Sequence, residues 1–135
     1  MSNGIPVVEP NRLVYIMSPY THFDSGVMNY RAEIAAAVIA DLMLTNRYPG
    51  TTLFSPIVHY HQVAIHRNEL PRDVGYWWRI NLPFMKAANA ALVLCIPGWK
   101  ESSGVHRELS WFRTHRRSRR DKIQIDFFDC DWREY

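Results

Sequence analysis

The segment Ala91–Ile96 (ALVLCI) constrains this chain more than any other. Successive side chains of a strand point to opposite sheet faces, so an unbroken apolar run makes a strand buried on both. Such strands belong to parallel sheets covered by helices on each side. The remaining segments supply the cover. Arg12–Met17 (RLVYIM) reads as a first strand, Thr51–Phe54 as a second closed by Ser55-Pro56, and Lys122–Phe128 as the last. After the first strand, Asp24 or Ser25 offers an N-cap. Val27, Tyr30, Ile34, Val38 and Leu42 then recur at three- or four-residue spacing, which predicts an amphipathic helix to about Asn46. Tyr48-Pro49-Gly50 is a turn. Ile57–Arg72 has no clean period and reads as a loop with a helical turn. Asp73 is placed to cap a helix running to about Ala88, and Ser102 or Ser103 one running to about Arg116.

Strands and helices therefore alternate, which predicts a mostly parallel sheet of four or five strands with helices on both faces. At 135 residues the chain fits a single domain, 1–135. In such folds ligands bind beyond the carboxyl ends of the strands. Ser18-Pro19-Tyr20, Ser55–His61 and Pro97–Gly104 are expected to converge on that rim.

Composition excludes several classes. With 47% hydrophobic and 21% charged residues the chain is not disordered as a whole. No apolar run reaches the ~18 residues of a membrane span. Met1–Pro10 lacks a signal-peptide pattern, and two cysteines, Cys95 and Cys130, make no disulfide scaffold. A reduced, cytoplasmic protein is expected. Sixteen Lys and Arg against thirteen Asp and Glu give a net charge of +3. The excess gathers at Arg113, Arg116, Arg117, Arg119, Arg120 and Lys122, with His115. A solvated helix end is the ordinary reading, since cations suit a helix C-terminus. Nucleic-acid binding is the sharper one, without a zinc-finger or RRM signature to support it.

Three sets of residues bear on chemistry. Ser102-Ser103-Gly104-Val105 opens a helix, where free amides and hydroxyls bind anions such as phosphate, and Glu108 lies about one turn inside. It is either a nucleophile or base aimed at the loop's ligand, or a surface Glu that favours the helix N-terminal half. Trp77, Asn81, Phe84 and Ala88 share one face of the preceding helix, leaving a lone amide on an apolar stripe. Asn81 is functional, or it caps a shorter helix starting at Leu82, because Pro83 costs ~3 kcal/mol inside a helix. His59, His61 and His66 invite a metal reading, but neither cysteine joins them, and lining a loop or ligand pocket is favoured. Trp77, Trp78, Trp99 and Trp111 are mostly core, with Trp99 in a rim loop placed to stack on a ring.

The segments VYIMSPY (14–20), LFSPIVH (53–59) and above all ALVLCIPGWKESSGVHREL (91–109) resemble the nucleoside 2-deoxyribosyltransferase-like superfamily. The nearest branch is that of small single-domain, DUF1937-like proteins with a PGWxxSxGVxxE motif. The resemblance covers Leu13 to about Phe112. It implies a flavodoxin-like or Rossmann-like three-layer α/β sandwich that cleaves N-glycosidic bonds. Members exchange bases on deoxynucleosides or hydrolyse nucleoside 5'-monophosphates. The Glu of GVxxE, here Glu108, is the nucleophile the resemblance implies; a carboxylate traps an oxocarbenium-like centre as an ester. Ser102, with Gly104 allowing close backbone approach, matches the sugar- or phosphate-binding position. Tyr15 matches the tyrosine that positions the nucleophile. Ser18, Pro19 and Tyr20 match first-loop contacts, Ile57 and His59 would then lie near the base, and Trp77, Gly98 and Trp99 are expected as further substrate-binding residues.

One position departs from the pattern: counting back eight residues from Asn89 puts Asn81 where relatives carry a second acid. An amide donates no carboxylic proton. Either another group takes that role, or the protein binds without turnover, or an Asp was replaced to trap a ligand. The expected function is N-glycosidic cleavage of a nucleotide or nucleoside, without metal or organic cofactor. A homo-oligomer, dimer or tetramer, is expected. The rivals are a nucleotide-binding module with little turnover, and nucleic-acid binding through 113–122.

Overall fold

A computed structural model of the chain describes residues 12–22, 24–66, 74–115 and 123–130. The order is β1 (Arg12–Met17), α1 (Ser25–Leu44), β2 (Thr51–Phe54), α2 (Pro56–His66), α3 (Val74–Ala87), β3 (Ala90–Leu94), α4 (Ser103–Thr114) and β4 (Gln124–Phe128). The strands form one sheet in the order β2-β1-β3-β4. Every pairing is parallel, with Tyr15 opposite both Phe54 of β2 and Ala91 of β3. The expected three-layer α/β architecture is thus observed.

Local sequence explains the boundaries. Asp24 caps α1 by accepting from the Gly26 N–H at 2.8 Å. Ser102 caps α4 by accepting from the Val105 N–H at 3.2 Å. The reading of 57–72 as a loop is corrected for the described part, because Pro56–His66 is helical. Ser55 starts it: its Oγ accepts from the Val58 N–H at 3.1 Å, and Pro56, at the first helical position, has no N–H to satisfy. The helix presents no fully buried apolar stripe: only Pro56 is buried, while Ile57, Val58, Tyr60, His61 and Ala64 are half-buried.

A second correction concerns Asn81. The helix runs unbroken from Val74 to Ala87 with Pro83 inside it, so Asn81 is a mid-helix residue and not a cap. Pro83 removes one backbone hydrogen bond without breaking the element. The proposed cap Asp73 and the basic residues 116–122 lie outside the described residues.

Alternation along β1 and β3 divides the core. Val14, Ile16, Leu92 and Leu94 pack with Ile34, Ala35, Val38 and Leu42 of α1. Tyr15, Met17, Ala91 and Val93 pack on the other face with Met85 of α3 and Val105, Leu109 and Phe112 of α4. The chain leaves β1 for β2 on one side and returns past β1 to β3 on the other. Strand order therefore reverses between β1 and β3, and the crevice beyond their carboxyl ends is where this architecture binds ligands. Among the described residues no helix is long and apolar enough to cross a membrane.

Candidate active site

Four buried side-chain polar atoms among the described residues lack a hydrogen-bond partner: Tyr15 Oη, Ser18 Oγ, Asn81 Oδ1 and Glu108 Oε2. An orphaned buried polar group costs ~1–3 kcal/mol, so such atoms are few and call for a reason. All four belong to residues singled out from the sequence. They come from β1, the loop after β1, α3 and α4, and both helices pack against β1.

Tyr15 and Glu108 form the centre. Tyr15 is fully buried in mid-strand, its ring tilted against Phe112 at 5.5 Å. Glu108 is half-buried as a residue, yet its Oε2 is sealed from solvent. Desolvation pushes the Glu108 carboxyl up to about 7, opposed by a polar interaction with the Tyr15 hydroxyl. Burial, and then the Glu108 charge, push the Tyr15 phenol well above its ordinary range. The two groups face each other without completing a hydrogen bond of ordinary geometry at Tyr15 Oη or Glu108 Oε2. Tyr15 is thus a neutral hydroxyl beside a carboxyl poised between its two protonation states at neutral pH.

The rim segments behave differently from one another. Ser18 and Pro19 are buried directly after β1. Tyr20 donates or accepts a 2.7 Å hydrogen bond with His61 Nδ1, the rings meeting edge-on. His59, chosen from the sequence as a base contact, is exposed, its ring against Phe54 and Tyr60. The structure brings His61, not His59, to the first loop. Ile57 is half-buried in the first turn of α2.

Trp77 contacts Tyr60 at 5.7 Å, and Phe84 stacks on Phe54 at 4.4 Å. Asn81 lies between Trp77 and Phe84 along α3, the residues whose rings reach Tyr60 of α2 and Phe54 of β2.

At the other rim, Trp99 packs on Phe127 at 5.7 Å, with the Lys100 ammonium over its ring. Ser102 spends its acceptor on the α4 cap, which leaves its hydroxyl hydrogen for a ligand. The Ser103 and Gly104 N–H groups are the first of the helix and face the anion-favouring end of its dipole. A Cβ at Gly104 would meet only Ser102 Oγ, at an ordinary 3.7 Å. Internal packing therefore does not require glycine there. Gly98 is different: its φ is +94° and Arg31 fills the space where a Cβ would stand.

Residues 12–120 match the model of a family described as a domain of unknown function (DUF1937), a span that runs from β1 past the end of α4. No curated protein matches the chain.

Proposed function

The chain belongs to the DUF1937 family, and on that premise we propose that it cleaves the N-glycosidic bond of a nucleoside 5'-monophosphate through Glu108. The reading links this family to the nucleoside 2-deoxyribosyltransferase-like superfamily. One observation carries it: the orphaned polar atoms of Tyr15, Ser18, Asn81 and Glu108 belong to β1, the loop directly after it, and the two helices α3 and α4 that pack against β1. Unsatisfied groups cost stability in the free protein and are repaid when a polar ligand fills them.

In this reading ionised Glu108 attacks the anomeric carbon. The Glu108 oxygen–carbon bond forms as the carbon–nitrogen bond to the base breaks, and the bonding pair leaves with the base. Water then cleaves the glycosyl ester, releasing the sugar phosphate and returning Glu108. Tyr15 holds the carboxylate in place. Ser102 and the first amides of α4 take the phosphate. The aromatic row of Trp77, Tyr60 and Phe54 offers a face to the base. Asn81 donates or accepts one hydrogen bond but supplies no proton, so the leaving base takes its proton from water. The protein is proposed to work as a cytoplasmic homo-oligomer without cofactor.

A second reading is a nucleotide-binding module with little turnover, favoured by the amide at Asn81. Nucleic-acid binding has no support of this kind, because its basic segment lies outside the described residues apart from Arg113 and His115. The test is a panel of nucleosides and their 5'-monophosphates, with released base measured by chromatography. Base release from monophosphates ahead of nucleosides is expected. Equal turnover of both moves the reading towards a transferase, and tight binding with no release establishes the second reading.

A further inference from the structure

The crevice at the strand-order reversal is bounded by two loops that belong to different strands, residues 18–22 after β1 and residues 95–102 after β3. One side chain spans them. Arg31, in the second turn of α1, donates from Nη1 to the Thr21 carbonyl at 3.0 Å and to the Tyr20 carbonyl at 3.5 Å. Its Nη2 lies over Gly98, so close that a Cβ on that residue would collide with it. Glycine at 98 meets two demands together, a φ of +94° and room for a flat guanidinium.

Each loop is tied onward to the candidate site. The first carries Ser18, and its Tyr20 hydroxyl meets His61 of α2. In the second, the Trp99 N–H donates to the Ile96 carbonyl at 3.1 Å, His106 bonds the Lys100 carbonyl, and Ser102 caps the helix that bears Glu108. A displacement at Gly98 therefore reaches both Trp99 and the start of α4. The Nη1 donors of Arg31 are committed to backbone carbonyls, which suits a strut better than an anion ligand. Only a planar, multi-donor group can hold two carbonyls and lie on a glycine at once; the point charge of lysine cannot.

We propose that Arg31 is a positioning residue that sets the spacing of loops 18–22 and 95–102, and that Gly98 is the glycine that admits it. The ligand side of this inference rests on the proposed function; the loop coupling does not. The experiment compares the full chain with Arg31→Lys, Arg31→Ala and Gly98→Ala by hydrogen exchange. Both loops are expected to exchange roughly 10-fold faster in each variant while β1 and β3 keep their protection. Millimolar guanidinium is expected to restore Arg31→Ala. Calorimetry with a nucleoside 5'-monophosphate and its parent nucleoside is expected to show both weakened by the same factor, because the crevice and not the phosphate contact has changed. Unchanged exchange in either loop overturns the proposal. So does faster exchange throughout the sheet, which makes Arg31 a general stabiliser, and so does a loss confined to the monophosphate, which makes it a phosphate ligand. If the unaltered protein binds neither compound, the functional reading fails while the exchange data still decide the role of Arg31.

Discussion

The two faces of the sheet are built from alternate residues of the same strands, yet they do opposite things. On the α1 face, Val14, Ile16, Leu92 and Leu94 meet Ile34, Ala35, Val38 and Leu42, and every side chain in that cluster is apolar. On the α3/α4 face, a similar apolar cluster surrounds Tyr15, and Asn81 and Glu108 bring buried oxygens without partners. One face gathers stability from closed packing. The other carries buried polar atoms left without an ordinary hydrogen bond, and the proposed function rests on them. The strand pleat separates the two tasks by a single residue step.

If that division is right, substitutions on the two faces separate activity from stability. The largest effect is expected at Glu108→Gln, which removes the nucleophile and should lower base release at least about 10³-fold. The same change should not weaken the fold. The Glu108 carboxyl rises from 4.5 to about 7 on folding. The native state therefore keeps a proton that the unfolded chain releases, and this stability is full at acid pH and lost as pH rises towards 7. Glutamine has no charge to desolvate, so above pH 7 denaturant unfolding should show Glu108→Gln more stable, by on the order of 2–3 kcal/mol. A large loss of stability would instead make Glu108 a structural residue.

The opposite pattern is expected at Leu92→Ala. Leu92 is 1% exposed in a strand with neighbours on both sides. Truncation should cost ~2–5 kcal/mol in denaturant unfolding and leave the turnover of the folded fraction unchanged. A matching fall in turnover of the folded fraction would erase the distinction between the faces.

Asn81→Asp probes the α3/α4 face. A carboxylic acid in a partly apolar setting protonates a departing base, an assistance typically worth ~10²–10⁴-fold. The chemical step should rise at least about tenfold, with the helix unchanged by circular dichroism. An unchanged rate would remove Asn81 from the acid position and leave protonation to water.

The smallest effect is expected at Tyr15→Phe. As a nucleophile Glu108 works ionised, so base release should rise with pH through about 7. The Tyr15 hydroxyl lowers the Glu108 value, so its removal should move the midpoint of the pH–rate profile upward. A midpoint that stays in place would show that the two groups do not communicate.

Much of this division was legible in the sequence. The apolar run at 91–96 implies a doubly covered strand, and capping chemistry narrows the starts of α1 and α4 to Asp24 or Ser25 and to Ser102 or Ser103, of which the fold uses Asp24 and Ser102. Asn81 stands out because an amide on an apolar stripe needs a partner, whereas the position of Glu108 also suits a surface carboxylate near a helix start, and only the resemblance of the GVxxE motif marks it as a nucleophile. The α2 helix escaped because hydrophobic periodicity reports burial, and this helix fully buries only Pro56 while its half-buried positions mix apolar residues with Tyr60 and His61. Its real signal was the Ser55-Pro56 start, which also suits the end of a strand. His61 could not be told from His59, since two residues apart on a helix they point in different directions and only the fold decides which meets Tyr20. The Arg31–Gly98 contact joins α1 to the loop after β3, and no local pattern encodes a meeting between residues so far apart in sequence.

Trapping its ester decides whether Glu108 is a nucleophile. The unaltered protein is incubated with a 2'-deoxy-2'-fluoro nucleoside 5'-monophosphate, whose fluorine slows hydrolysis of the glycosyl intermediate. Peptide mass spectrometry should then find a fluorinated sugar phosphate on Glu108, with one equivalent of base released per adduct. Base release with Glu108 unmodified, an adduct on another residue, or neither base release nor adduct would show that Glu108 is not the nucleophile.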